Sequence, residues 1–448
     1  MERGRTRRPG GRMRRGTFTW LLTVSPCLAA GCGDGHSEDA PEARAEAADP
    51  VPVAVDLAAQ PLVTDIRDSA GIRIIENGRP PDESRLPWRI GAEPSVSIGE
   101  VDGREPYVLH KADDALMLPD RRVVIANTGT NEIRLYDGGG THQTTWGGTG
   151  QGPGEFQELA GVARWPGDSI LAWEAMRSSR ATGSLWRGAV FDAGGEPGRS
   201  FRIQSDDGAG LEPRLVLAEG GILGRMTSGG ADDGYWRYEA TYSLLAREGA
   251  AEVPFGTHPA HEGFSGVYNG VVLHVPHMAF SRGLEEAAWE GMLVIASNDR
   301  YELRAYRMTD GALAKIVRRE HANRAPTRAE IVEAMDRTFI EGEQPEEVIE
   351  MFRPAFDEAP IVEGFPSFRS VLADPLGHLW VQEYTTPDMD RPAPLWTVFD
   401  PDGRALGFVE TPAGLSVFEI GADYLLGRAA NELGIERIEV WALERGGA

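Results

Sequence analysis

Apolar and polar positions alternate in short blocks along most of this chain. From residue 115 to 156, apolar and β-branched runs at 115–118, 123–126, 133–136 and 143–146 are separated by Pro119-Asp120, by the turn at 127–131 and by Asp137-Gly138-Gly139-Gly140, before a glycine-rich exit at 147–154. Runs this short, broken this often by Gly, Pro, Asn and Asp, predict four antiparallel strands in a meander. That unit is one blade of a β-propeller.

The rhythm recurs downstream. A second unit takes strands at 162–165, 169–173, 188–191 and 200–203, and its Asp192 follows Asp137 by 55 residues, a plausible blade period. A third takes 214–217, 221–226, 238–245 and 252–255; a fourth 292–296, 303–306 and 314–318; a fifth 370–373, 379–383, 396–399 and 405–410. The last offers only 416–420, 424–428 and 438–443, while residues 72–76 form a strand without a hairpin partner. One strand missing at the C-terminus and one spare near the N-terminus predict an all-β, six-bladed propeller of four-stranded antiparallel blades closed by 72–76, with 95–98 as the alternative closing strand. A small helical insertion interrupts it near 326–354. Thr327-x-x-Glu330 has capping-box spacing, Ile331, Ala334, Met335, Thr338 and Phe339 make a helical stripe, and Pro345 opens a second helix that Pro354 should stop.

The blade at 115–156 resembles an NHL-type repeat, in the strand at 123–126, the asparagine-containing turn, Ile133-Arg134-Leu135-Tyr136-Asp137 and the Gly-Pro-Gly-Glu-Phe exit. More widely, the chain is similar to bacterial six-bladed β-propeller proteins, often lipoproteins. The resemblance implies a binding or protein-interaction module at the cell envelope. Six-bladed rings also include enzymes, calcium-dependent lactonases of the gluconolactonase type and streptogramin lyases, with catalytic residues around the central channel. None of those residues maps onto a position of this chain, so a propeller hydrolase or lyase stays as the alternative and the cofactor stays open.

The N-terminus changes the picture of where the propeller works. The first fifteen residues hold seven Arg and one acid, residues 18–30 are mostly apolar, and Leu28-Ala29-Ala30-Gly31-Cys32 resembles a lipobox. This predicts a lipoprotein signal at 1–31, lipidation at Cys32, a flexible acidic tether at 32–61 and the propeller at 62–448. The protein would then sit at the envelope, facing the periplasm or exterior, as a monomer that touches the membrane through its lipid alone. Cys27 and Cys32 are the two cysteines, so the folded domain has no thiol or disulfide. The formal charge is −24, and loss of residues 1–31 with six net positives leaves −30, which excludes nucleic acid as a partner.

Candidate chemistry is sparse. The glycines at 148–154 lack the Gly-Lys-Ser or Gly-Lys-Thr and the strand-to-helix context of a phosphate loop, and Asp400-Pro401-Asp402-Gly403 lacks the later ligands of an EF-hand and fits a hairpin turn. His258, His261, His274 and His277, with Glu262, form the only metal-like cluster, on a long connection at 256–278; surface or hydrogen-bonded histidines are the competing reading. Long connections at 147–157, 256–278 and 319–365 all leave an outermost strand for an innermost one, and so share a face. Near that face Lys111, Arg214, Arg282 and Arg369 precede or begin innermost strands, and would gather at the channel mouth to hold a small anionic or sugar-acid ligand, or an envelope protein. Each could instead pair with Asp113, Asp114, Glu212 or Glu363 nearby.

Overall fold

The computed structural model describes residues 62–446, apart from 101–102, 177–184, 231–233, 248–251, 269–270, 342–345 and 432. The expected signal, Cys32 and the whole tether lie outside the described residues. Within them the chain is nearly all-β, and its antiparallel sheets follow the turn signals. Sheet 1 holds Ala112–Met117, Val123–Asn127, Glu132–Tyr136 and His142–Gly147; sheet 2 holds Leu159–Trp165, Ser169–Met176, Leu185–Phe191 and Pro197–Ile203. Sheet 3 starts at Glu212–Val216, sheet 4 at Leu284–Trp289, sheet 5 at Phe368–Ala373 and sheet 6 at Ser416–Ile420. The turns are set by one device. Asp137 Oδ1 accepts the backbone N–H of Gly139 at 2.9 Å and of Thr141 at 2.8 Å, and Asp192 does the same for Gly194 and Glu196. Asp400 likewise accepts from Arg404, and Asp402 pairs with Arg404 at 2.9 Å, so this segment is the expected hairpin turn.

The sheets pack face to face, each neighbouring pair sharing a buried apolar cluster. Phe156, Ile170 and Phe191 lie between sheets 1 and 2, and Trp165, Leu211 and Ile222 between 2 and 3. Tyr242, Phe255 and Leu293 lie between 3 and 4, and Trp289, Val294 and Phe399 between 4 and 5. Trp380, Leu425 and Leu443 lie between 5 and 6, and Ile125, Tyr136 and Ile438 between 6 and 1. The first strand of each sheet touches the first strand of the next, and that of sheet 6 touches that of sheet 1.

Residues 72–76 do not complete the last sheet. Ile72–Asn77 pairs in parallel with Leu313–Arg319, in the register Arg73↔Lys315 to Asn77↔Arg319, and so extends sheet 4, with Val63–Ser69 outside it. Burial explains the choice: Ile75 is fully buried against Trp289 and Val317, and the Asn77 amide donates to the Arg318 and Gly403 carbonyls and accepts from Ala405 N–H. The free side of Glu436–Arg445 in sheet 6 is instead taken by Val96–Ile98 and Trp88–Ile90, pairing Ile438↔Ile98, Val440↔Val96 and Leu443↔Ile90. The fully buried Ile98 packs with Leu426 and Ile438.

Two further expectations are corrected. Residues 256–278 are mainly strand: Gly234–Leu245 and Glu252–Tyr268 form a long hairpin, followed by Val271–Val275. Pro254 and Pro259, which cannot donate to a ladder, stand at its two register shifts, beside Gly256 with φ +82°. The helices are α1, Arg328–Glu341, and α2, Glu346–Glu358, so α2 continues past Pro354. The capping box forms: Thr327 N–H donates to Glu330, and Glu330 N–H to Thr327 Oγ1 at 3.2 Å. Behind α2, Ala359 and Val362 bury against Phe264 and Met278 of the sheet 3 extension, which joins the two elaborations into one layer.

Candidate functional site

The starts of the first strands bring together a dense set of charges. At the head of sheet 3, Arg214 contacts Glu286 of sheet 4 at 3.0 Å and Glu212 at 3.1 Å. Arg225 pairs with Glu212 at 2.8 Å and Glu286 at 3.5 Å, and the Tyr242 hydroxyl donates to Glu286. Two guanidiniums thus face two carboxylates. Burial acts to raise Glu212, but Arg225 and Arg214 outweigh it and hold the carboxyl below its ordinary value. Burial raises the Tyr242 hydroxyl, and Glu286 pushes it the same way, so it stays a neutral donor.

Arg282 is engaged more deeply. Glu262, fully buried on the sheet 3 extension, accepts Arg282 N–H at 2.8 Å and its guanidinium at 2.5 Å, and Tyr235 OH donates to it at 2.9 Å. Asp299 and Glu363 complete the surroundings at 3.5 Å each. Arg282 therefore clamps the long hairpin to the start of sheet 4, and Arg214 sits in a self-neutralising quartet. The partners Glu212 and Glu363 are among those expected, but the closer contacts, Glu286 and Glu262, were missed.

Lys111 and Arg369 differ. Both are exposed, and neither makes an ion pair among the described residues. Lys111, at φ +53°, offers its carbonyl to the Thr128 N–H and hydroxyl at 2.9 Å and leaves its amine outward. Arg369, the second residue of its strand, stands within electrostatic range of Tyr384, which burial pushes up to about 12, and of Glu285.

Glu285 and Asp114 are the unusual acids. Each lines the convergence of first strands, partly reachable by water yet ringed by protein. Desolvation lifts Glu285 from 4.5 to about 8, with Glu286 adding to the rise and Arg214, Arg225 and Arg369 opposing it. Desolvation likewise lifts Asp114 to about 7, against the Val162 N–H it accepts at 3.0 Å. A legible signal exists for both: Ala112-Asp113-Asp114-Ala115 and Leu284-Glu285-Glu286-Ala287 place consecutive acids in an apolar first strand, where side chains alternate faces. One acid of each pair must point inward.

A raised acid favours the folded state at low pH. The unfolded Glu285 carboxyl ionises near 4.5 and the folded one near 8, so its contribution is fully present below pH 4.5 and disappears as pH rises to 8. Glu285→Gln is therefore expected to gain about 4 kcal/mol over the parent at pH 8 and under about 1 kcal/mol at pH 5, as read by urea unfolding. An equal effect at both values would show that Glu285 ionises normally.

The histidines do not converge. His258 Nε2 bonds the Phe255 carbonyl at 2.9 Å, and His274 Nδ1 lies 2.5 Å from Ser265 Oγ. His261 is stacked between Tyr238 and His277, with ring centroids 4.2 Å apart on either side. Among the described residues no group of three or more His, Cys, Asp or Glu is arranged to hold a metal ion. A cavity of about 570 Å³ opens beside this face, lined by Asn77, Tyr301, Arg319, His321 and Ser367 among others. Of its cations, Arg318 pairs with Glu76 and Glu302 and Arg319 with Glu383.

No family model and no curated protein matches the chain. Among solved structures, it is similar to a putative exported protein from Bacteroides fragilis at 11% identity, with 84% of this chain and 100% of that one covered and a TM-score of 0.44. A member of the DUF4221 family from Bacteroides vulgatus is 12% identical over 80% and 99% of the two chains, with a TM-score of 0.43. A gluconolactonase from Xanthomonas campestris is 13% identical over 72% and 83%, with a TM-score of 0.35.

Proposed function

We propose that the six sheets are the blades of one closed propeller, lipid-anchored at Cys32 in the cell envelope and facing the periplasm or exterior, and that its mouth binds small anionic ligands. The cyclic contacts of the first strands and the apolar cluster between every neighbouring pair support the ring. The anion reading rests above all on Arg369, an exposed guanidinium with no ion pair among the described residues, set beside a Glu285 that keeps its proton at neutral pH. A planar cation and a neutral carboxylic acid together can hold a carboxylate or phosphate, the first through paired N–H donors and the second through its O–H. Lys111 adds a second free charge on the same side, while the acidic surface turns polyanions away. Arg214 and Arg282 keep the mouth in shape through their carboxylates.

Small carboxylates, phosphate and sulfate at millimolar concentration are expected to raise the melting temperature of the wild type. The Lys111→Gln/Arg369→Gln variant should fold normally and lose most of that response. Binding should also weaken between pH 7 and 9, because Glu285 becomes an anion above about 8. No stabilisation of the wild type by any of these anions, or an equal response from the variant, would end the reading. For the anchor, Cys32→Ser should move the protein from the membrane to the soluble envelope fraction; a wild type that is already soluble would contradict it.

A further inference from the structure

The cavity of about 570 Å³ stands apart from the anion groups, since neither Lys111 nor Arg369 lines it. It opens where the ends of Ile72–Asn77 and Leu313–Arg319 meet the turn that leads into Glu302–Arg307, and Asn323 and Ser367, from the two ends of the helical insertion, complete its wall. Asn323 donates to the Phe365 carbonyl at 2.7 Å, which ties those two ends to each other. The volume is within the roughly 300–1,000 Å³ of small-molecule sites.

Three groups on the wall carry bonding capacity that the protein leaves unused. The Arg319 Nε–H is enclosed and has no hydrogen-bond partner among the described residues. Ser367 is 1% exposed; its N–H donates to the Asn298 carbonyl, but its hydroxyl makes no hydrogen bond among the described residues. The half-buried His321 ring rests against Tyr301, with centroids 5.8 Å apart, and neither of its nitrogens is bonded among the described residues. Burial lowers this imidazole, with Arg319 adding to the fall and Glu383 opposing it, so at pH 7 the ring is neutral and offers one donor and one acceptor. Buried polar groups are nearly always paired in folded proteins, so three together mark a place for a hydrogen-bonding partner.

The wall also says what that partner is made of. Among the described residues no Ala, Val, Leu, Ile, Met or Pro lines the cavity, so an apolar ligand surface would bury against nothing. Four carboxylates stand against three guanidiniums, and the exposed Arg300 and Glu320, one of each sign, make no ion pair among the described residues. An ion of either charge would therefore meet repulsion as well as attraction. A hydroxyl escapes this, because it can donate to a carboxylate and accept from a guanidinium. We infer that the cavity is a second ligand site, independent of the anion mouth, and that it takes an uncharged mono- or disaccharide.

Glucose, galactose, mannose, N-acetylglucosamine and maltose, followed by saturation-transfer NMR and calorimetry at pH 7, test this. The wild type should bind at least one of the five at millimolar concentration. Ser367→Ala and His321→Gln should each weaken that sugar about fivefold, the scale of one hydrogen bond, with the circular dichroism of the parent. Arg300→Ala, at an exposed position where folding is not at stake, should weaken it as well. The Lys111→Gln/Arg369→Gln variant should bind the sugar as the wild type does, which separates this site from the mouth. Binding of none of the five, which would leave the cavity to water, would overturn the inference. Affinity unchanged in all three cavity variants, or lost only with Lys111 and Arg369, would overturn it too.

Discussion

Replacing Arg319 by Met is expected to cost the domain about 3–5 kcal/mol, the penalty for leaving a buried carboxylate without its cation. The Arg319 side chain has no exposed surface and grips Glu383 through two bonds, at 2.9 and 3.0 Å. Thr397 bridges the two groups, Tyr301 OH also donates to Glu383, and the guanidinium lies 3.8 Å over the Tyr301 ring. Met fills similar space but supplies no donor, so Glu383 must take up a proton or draw in water. The double variant Arg319→Met/Glu383→Leu removes both charges and should recover much of the loss, since apolar replacement of a whole buried pair is often near neutral. Guanidinium unfolding reads both. A single variant within 1 kcal/mol of the parent would show that the network is not closed to water in solution.

The second large effect concerns the segments before sheet 1. A chain beginning at Pro80 loses Ile75 and the three hydrogen bonds of Asn77, and is expected to fold with stability reduced by about 3–6 kcal/mol. A chain beginning at Gly103 also loses Val96–Ile98 and Trp88–Ile90, which uncovers Ile438, Leu443 and the whole free side of Glu436–Arg445. An open apolar edge of that length recruits other chains, so this truncation should aggregate or fail to fold. Analytical ultracentrifugation and thermal melts separate the two. A monomeric Gly103 chain that melts with the Pro80 chain would mean that residues 88–98 contribute nothing to closing sheet 6.

These two segments also mark where sequence reading stops. Turn chemistry made the sheets legible, because an Asp or Asn that caps a turn through its own side chain acts within five residues. The partner of a lone strand is decided across hundreds of residues. Residues 72–76 and 96–98 are both short and apolar, and only the fit of Ile75 beside Trp289, against that of Ile98 beside Ile438, assigns them to different sheets. A parallel pairing such as Arg73↔Lys315 also leaves no turn signal behind. Residues 256–268 of the long hairpin read as a connection in the sequence because Gly256 and Pro259 interrupt the alternation, whereas the irregular ladder absorbs both.

At the candidate site, residue types were legible and partners were not. Four cations at the starts of first strands could be listed from the sequence, yet which of them are free depends on Glu262 and Glu286, acids 20 and 72 residues away from Arg282 and Arg214. The consecutive acids Asp113-Asp114 and Glu285-Glu286 mark the positions in the sequence, but the rise of the Asp114 and Glu285 carboxyls arises from enclosure by neighbouring sheets, which is a property of packing.

The central claim is that a small anion sits at Arg369. Crystals grown with millimolar selenate, an anomalous scatterer close to sulfate in shape, test it most directly. The account predicts an anomalous peak within hydrogen-bonding reach of the Arg369 guanidinium, absent from crystals of Arg369→Gln; peaks elsewhere on the protein with none at Arg369 would contradict it.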